Sequence, residues 1–132
     1  MPHSYLVVSD GELFRLIQDL LGSERRALFH ASTGGGALHL LANWRSPTVV
    51  LLDLPLADMS GSEFIESVRD DSELSCMVAT VCLAGAGVRI PQRAFRVVRK
   101  PSIARELLGA IKDARRQLAR SGAFFTQSAA GG

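Results

Sequence analysis

The stretch VVLLDLPLADMSGSEF (residues 49–64) decides the fold. With Thr48 before it, it opens as an unbroken apolar run, β-branched at its start, without the polar alternation of a half-exposed strand. Such a run is how a central parallel strand looks, because helices cover both of its faces. The run ends on Asp53, a carboxylate that is costly to desolvate. Strand-end aspartates often cap the next turn. The other reading is that the carboxylate itself is a reagent.

Working outward, strand-like runs alternate with segments of helical period. YLVV (5–8) is rich in β-formers, and ELFRLIQDLLG (12–22) sets Leu13, Leu16, Ile17, Leu20 and Leu21 on one helical face, with Gly22 as a stop. ALFHAS (27–32) reads as a second strand, and GGGALHLLANW (34–44) as a glycine turn opening a helix that Ser46-Pro47 ends. Beyond the central strand, SGSEFIESVRDD (60–71) predicts a helix burying Phe64, Ile65 and Val68. MVATVCLA (77–84) and FRVV (95–98) are a fourth and a fifth strand. SIARELLGAIKDARRQLA (102–119) is an amphipathic helix with Ile103, Leu107, Leu108, Ile111 and Leu118 inward. The segment GAGVRIPQRA (85–94) is glycine-rich and broken by Pro91, so the helix expected between the last two strands is shortened or missing.

Five strands interleaved with helices predict an α/β domain, a parallel sheet with helices on both faces. For a chain of this size the flavodoxin-like order 2-1-3-4-5 fits best, with its crevice at the carboxyl ends of the first and third strands. Residues 1–120 form that domain, and residues 121–132 read as a frayed tail.

Composition narrows the function classes. The 132 residues are 47% hydrophobic and 21% charged, ordinary for a globular protein, and no apolar run approaches the roughly 20 residues a membrane span needs. The N-terminus lacks the basic flank of a signal peptide, which points to an intracellular, cytoplasmic protein. The net charge of +2 is too weak to imply nucleic-acid binding, but it comes from thirteen Arg and only two Lys, so each lysine carries information. Cys76 and Cys82 read as packed, reduced thiols.

The topology gives the chemistry. Asp10 follows the first strand and Asp53 ends the third, so both carboxylates arrive at one crevice. Two negative groups brought close either share a proton or hold a cation. Hard oxygen ligands favour Mg²⁺, which keeps waters and bridges to phosphate. Lys100, directly before Pro101 at the end of the fifth strand, reaches the same edge.

These residues carry a family pattern. VVSD (7–10), ASTGGGALHLL (31–41), LLDLPLADMSGSEF (51–64) with Met59 and Gly61 at their offsets, and VVRKP (97–101) resemble the receiver domains of two-component response regulators, to about Arg120. The resemblance implies that Asp53 takes a phosphoryl group from the phosphohistidine of a sensor histidine kinase or a histidine phosphotransfer protein. It further implies that Asp10, Asp53 and the Pro55 carbonyl hold Mg²⁺, and that Lys100 offsets phosphoryl charge. Such a domain is a phosphoacceptor and not an enzyme in the usual sense, and neither nucleic acid nor membrane is its direct partner.

The sequence departs from the pattern in several places. Ser9 stands where many receivers carry a second acid, and Ala57 replaces the usual Pro. The hydroxyl that ends the fourth strand in receivers falls, by an ungapped count from Asp53, on Leu83, or on Cys82 after a one-residue shift. The aromatic of the fifth strand is Val97. Two readings therefore stay open: a phosphorylated receiver with a non-standard output, or a pseudo-receiver that works as a protein-docking module. Arg89, Arg93, Arg96 and Arg99 form either a face for an acidic protein partner or a solvated basic edge.

Rival chemistries fit less well. A flavin-binding domain wants a phosphate cradle where SDGE (9–12) puts two acids, and a haloacid-dehalogenase-type phosphatase wants an acid where Pro55 stands. The glycines 34–36 lack the Gly-Lys-Ser/Thr ending of a nucleotide loop. His3, His30 and His39 make no spaced ligand set, Trp44 reads as packing, and the basic residues of the last helix read as a solvated face.

Overall fold

The computed structural model describes residues 4–22, 27–43 and 46–120. The tail at 121–132, His3 and Trp44 lie outside them. The strands are β1 (Ser4–Val8), β2 (Leu28–Ala31), β3 (Thr48–Leu54), β4 (Val78–Ala84) and β5 (Arg96–Arg99). The helices are α1 (Gly11–Leu21), α2 (Gly34–Ala42), α3 (Gly61–Asp70), α4 (Ser72–Met77) and α5 (Ile103–Arg120). All pairings are parallel and the order is β2-β1-β3-β4-β5, as expected. Among the described residues no helix is long and apolar enough to cross a membrane.

The unbroken apolar run of β3 is explained by its place between β1 and β4, with a packed layer on each side. Leu51 joins Val7, Val81 and Leu83 beneath α1 and α5, while Val50 and Leu52 join Leu6, Val8 and Cys82 beneath α2, α3 and α4. Phe64 of α3 is fully buried in the second layer, where truncation to Ala would cost about 3–5 kcal/mol.

Local signals set the helix boundaries. Asp10 caps α1, and Gly22 ends it at φ 55°, a left-handed conformation that favours glycine, with its N–H donated to the Gln18 carbonyl. Ser60 and Glu63 form a reciprocal capping box at the start of α3, both bonds 3.0 Å. Asp71 accepts from the Glu73 and Leu74 amides and so begins α4 directly after α3.

The short α4 is not expected from the sequence; it takes up Met77, and β4 begins one residue later. It also exposes Cys76, whose thiol donates to the Glu73 carbonyl, so only Cys82 is a packed thiol. Leu16 and Leu108, expected inward, are 42% and 46% exposed, because the apolar stripes of α1 and α5 are wider than the sheet surface they cover.

Between β4 and β5 no helix forms. The chain turns at Gly87, then packs Val88 and Ala94 against the α2–α3 layer and buries Pro91. A Cβ on Gly61 would stand 2.8 Å from Pro91 Cγ and 2.9 Å from Leu54 Cδ2, so this segment lies directly on the first turn of α3. Away from Asp53, a groove of about 410 Å³ opens among Ile65, Val68, Val78, Thr80, Arg93 and Phe95, where a crossover helix is absent.

Candidate functional site

The ladder register delivers the site. Val8 is level with Leu52, so Asp10 and Asp53 both emerge at the carboxyl edge, at the ends of adjacent strands. Leu54 is level with Ala84 and Ala84 with Arg99, which brings Lys100 to the same edge. Lys100 Nζ lies 2.7 Å from Asp53 Oδ1. The lysine stem runs past Gly85, where a Cβ would meet Lys100 Cδ at 3.9 Å.

Asp53 Oδ1 is closed off from solvent, and its partner is the Lys100 ammonium 2.7 Å away, a charge-assisted contact. The ammonium supplies the counter-charge that a buried carboxylate oxygen requires. Its side chain is 15% exposed and that of Lys100 39%, so the pair faces a rim and is not sealed in the core.

Asp10 behaves differently. It is exposed, and its Oδ1 accepts the Leu13 amide at 2.9 Å as the cap of α1. The turn before it is braced: the Ser9 hydroxyl donates to the Asp10 carbonyl at 2.8 Å, and His30 Nε2 donates to the Ser9 carbonyl at 2.7 Å. His30 stacks on Phe14 with ring centroids 4.5 Å apart. The turn-cap role therefore holds for Asp10 and not for Asp53. Among the described residues no three His, Cys, Asp or Glu side chains gather as a metal-binding group. Asp10, Asp53 and the main-chain carbonyls of the loop that begins at Pro55 are oxygen donors at this edge.

A further carboxylate belongs to the edge. Asp58 Oδ1 accepts the Gly34 amide and Oδ2 the Gly35 amide, both at 2.9 Å. The Gly35 N–H, then the Gly34 N–H, hold its carboxyl below the usual carboxylate value. Its partners are main-chain groups more than twenty positions away in the chain, invisible to a side-chain motif. The legible signal is the first turn of α2, which is all glycine and has no acid of its own.

At the other end of the edge, Leu83 is level with Asp53 and Cys82 with Leu52. Leu83 is fully buried beneath α1 and α5 and offers no hydroxyl. Thr80 lies three residues earlier in β4. Val97 is half-buried, level with the fully buried Cys82. Arg96 is paired with Asp113 at 2.7 Å, while Arg89, Arg93 and Arg99 have no ion-pair partner among the described residues.

No protein-family model matches the chain. The polar-differentiation response regulator DivK of Brucella anthropi is 35% identical over 75 residues, which span 56% of this chain and 60% of that protein. DivK of Brucella ovis is 33% identical over the same length. A receiver domain protein from Clostridium thermocellum superposes with a TM-score of 0.72 at 20% identity, covering 90% of this chain and 99% of that one. A CheY-like receiver domain protein from Methanospirillum hungatei gives 0.69 at 21% identity, covering 90% and 95%. The structural likeness shows the fold, and the stretch shared with DivK adds sequence similarity to it.

Proposed function

We propose that this receiver-type domain accepts a phosphoryl group on Asp53 from a sensor histidine kinase or a histidine phosphotransfer protein in the cytoplasm. The observation that carries the reading is the Asp53–Lys100 pair, a strand-end acid whose solvent-closed oxygen is held 2.7 Å from the ammonium of one of only two lysines. In the transfer an Asp53 oxygen bonds to phosphorus as the P–N bond to the partner's imidazole breaks. The leaving nitrogen takes up a proton and an acyl phosphate remains on Asp53. Lys100 offsets the negative charge on the transferring oxygens, the main demand in phosphoryl transfer.

The donor set fits Mg²⁺. Asp10, Asp53 and the Pro55 carbonyl would hold it, and an ion that keeps several waters needs few protein ligands. Bound there, it would neutralise phosphoryl charge alongside Lys100. Asp10 caps α1 through one oxygen, which fixes its place at the rim.

A second reading is favoured by one observation, the buried Leu83 beside Asp53. A phosphoryl group with no differential contact in two conformations shifts no equilibrium. On that reading the domain is a pseudo-receiver that docks an acidic protein partner along Arg89, Arg93 and Arg99.

Titration with Mg²⁺ and beryllofluoride, followed by NMR, separates the two. Shifts centred on Asp10, Asp53 and Lys100 are expected for the phosphoacceptor. No response at millimolar metal would reject it in favour of docking.

A further inference from the structure

Asp58 lies five residues past the acceptor on an exposed loop, with both oxygens committed to α2. The start of that helix is fully accounted for: Asp58 takes the Gly34 and Gly35 amides, the Thr33 hydroxyl takes Gly36, and the Thr33 carbonyl takes Ala37. Two bonds on separate oxygens fix direction as well as distance. The packing is equally close. A Cβ on Gly34 would stand 2.8 Å from Met59 Sδ and 3.2 Å from Leu56 Cδ1, and one on Gly35 would stand 3.2 Å from Asp58 Oδ2. The side chains of Leu56, Asp58 and Met59 are thus seated against the glycine turn of α2, where a methyl would crowd them. The far end of the loop is fixed as well, by the Ser60–Glu63 capping box of α3.

We infer that Asp58 is a positioning residue: it pins residues 54–60 to the first turn of α2, so that the Pro55 carbonyl and Asp53 keep one relative arrangement. This rests on the phosphoacceptor reading. An ordinary helix cap would stabilise α2 alone. Asp58 instead joins α2 to the one loop that leaves Asp53, so displacement at Pro55 strains the two hydrogen bonds from the Gly34 and Gly35 amides. The state of the acceptor is therefore reported at the Gly34 and Gly35 amides.

The test uses the full ¹⁵N-labelled chain, titrated with Mg²⁺ and then beryllofluoride, with Asp58→Asn and Gly35→Ala beside it. The first variant removes the charge; the second keeps the charge and crowds the carboxylate. In the unaltered chain the Gly34 and Gly35 amides are expected to move with the same midpoint as residues around Asp53. In both variants the melting temperature should stay within a few degrees, while the Mg²⁺ midpoint rises about tenfold, the lower end for groups that orient ligands. The amides of residues 34 and 35 should no longer follow that midpoint. A wild-type chain that binds both ions while Gly34 and Gly35 stay silent overturns the inference alone. So does an unchanged Mg²⁺ midpoint in the variants. A wild-type chain that ignores both ions overturns the phosphoacceptor reading, and the inference with it.

Discussion

At the β1–β3 half of the carboxyl edge, polar groups are bound to something specific. Asp10 holds the start of α1, Asp58 holds the start of α2, His30 braces Ser9, and Asp53 faces Lys100. At the β4–β5 half, the corresponding places are filled by hydrocarbon. Leu83 is fully buried beside Asp53, Val97 packs on the α2–α3 layer, and the crossover 85–95 is closed by Val88, Pro91 and Ala94 without a helix. Both halves come from one sheet with continuous register, so the fold does not impose the difference. A strand end that must bind a charged group keeps oriented dipoles and carboxylates. A strand end that only closes the core is better off with methyl groups, since every buried polar atom there would need a partner.

Lys100 directly follows β5 but serves the polar half, so removing it should break the contrast most sharply. Lys100→Met is expected to slow phosphoryl transfer to Asp53 by about a hundredfold, in the range seen when one charge-stabilising donor is lost. Transfer from a phosphohistidine donor, followed by gel or mass, reads this directly. A rate within a few-fold of wild type would mean that the ion pair is only structural.

Leu83→Thr sharpens the comparison from the other side. It should lower stability by about 3 kcal/mol, through lost packing and a buried hydroxyl, as read by urea unfolding. The Mg²⁺ midpoint should stay where it was, because Leu83 supplies packing and no charge. A large change in that midpoint would show the two halves to be one site.

An effect confined to alkaline pH concerns Cys82, in the hydrocarbon half. Burial pushes its thiol up to about 12 from an ordinary 9.0. The folded chain therefore keeps a proton that the unfolded chain releases above pH 9. The associated stability is fully present below pH 9 and is lost as pH rises toward 12. Denaturation midpoints measured across that window should fall for the wild type and flatten for Cys82→Ala. Alkylation near pH 8 should mark exposed Cys76 alone.

The contrast also explains what could be read from the sequence. β3 and Asp53 are legible because a continuous apolar run that stops on an acid has few explanations. Lys100 is legible because lysine is scarce among thirteen arginines. The missing crossover helix follows from glycines and Pro91, which leave no helical period over 85–94. Asp58 is hidden because its partners are backbone amides brought near only by the β2-β1-β3 order of the sheet. The outward turn of Leu16 and Leu108 is hidden because periodicity marks the apolar face of a helix but not the width of what it meets. The brief α4 is set by the Asp71 cap, too local a signal to stand out beside the longer helix before it.

Gly61 and Pro91 belong to opposite halves yet leave no room for a methyl between them. That contact works as a steric interlock between two stretches thirty positions apart. A lineage that enlarges the first must trim or move the second, so the two positions should change as a pair, and a helix grafted into the crossover would have to respect the same clearance.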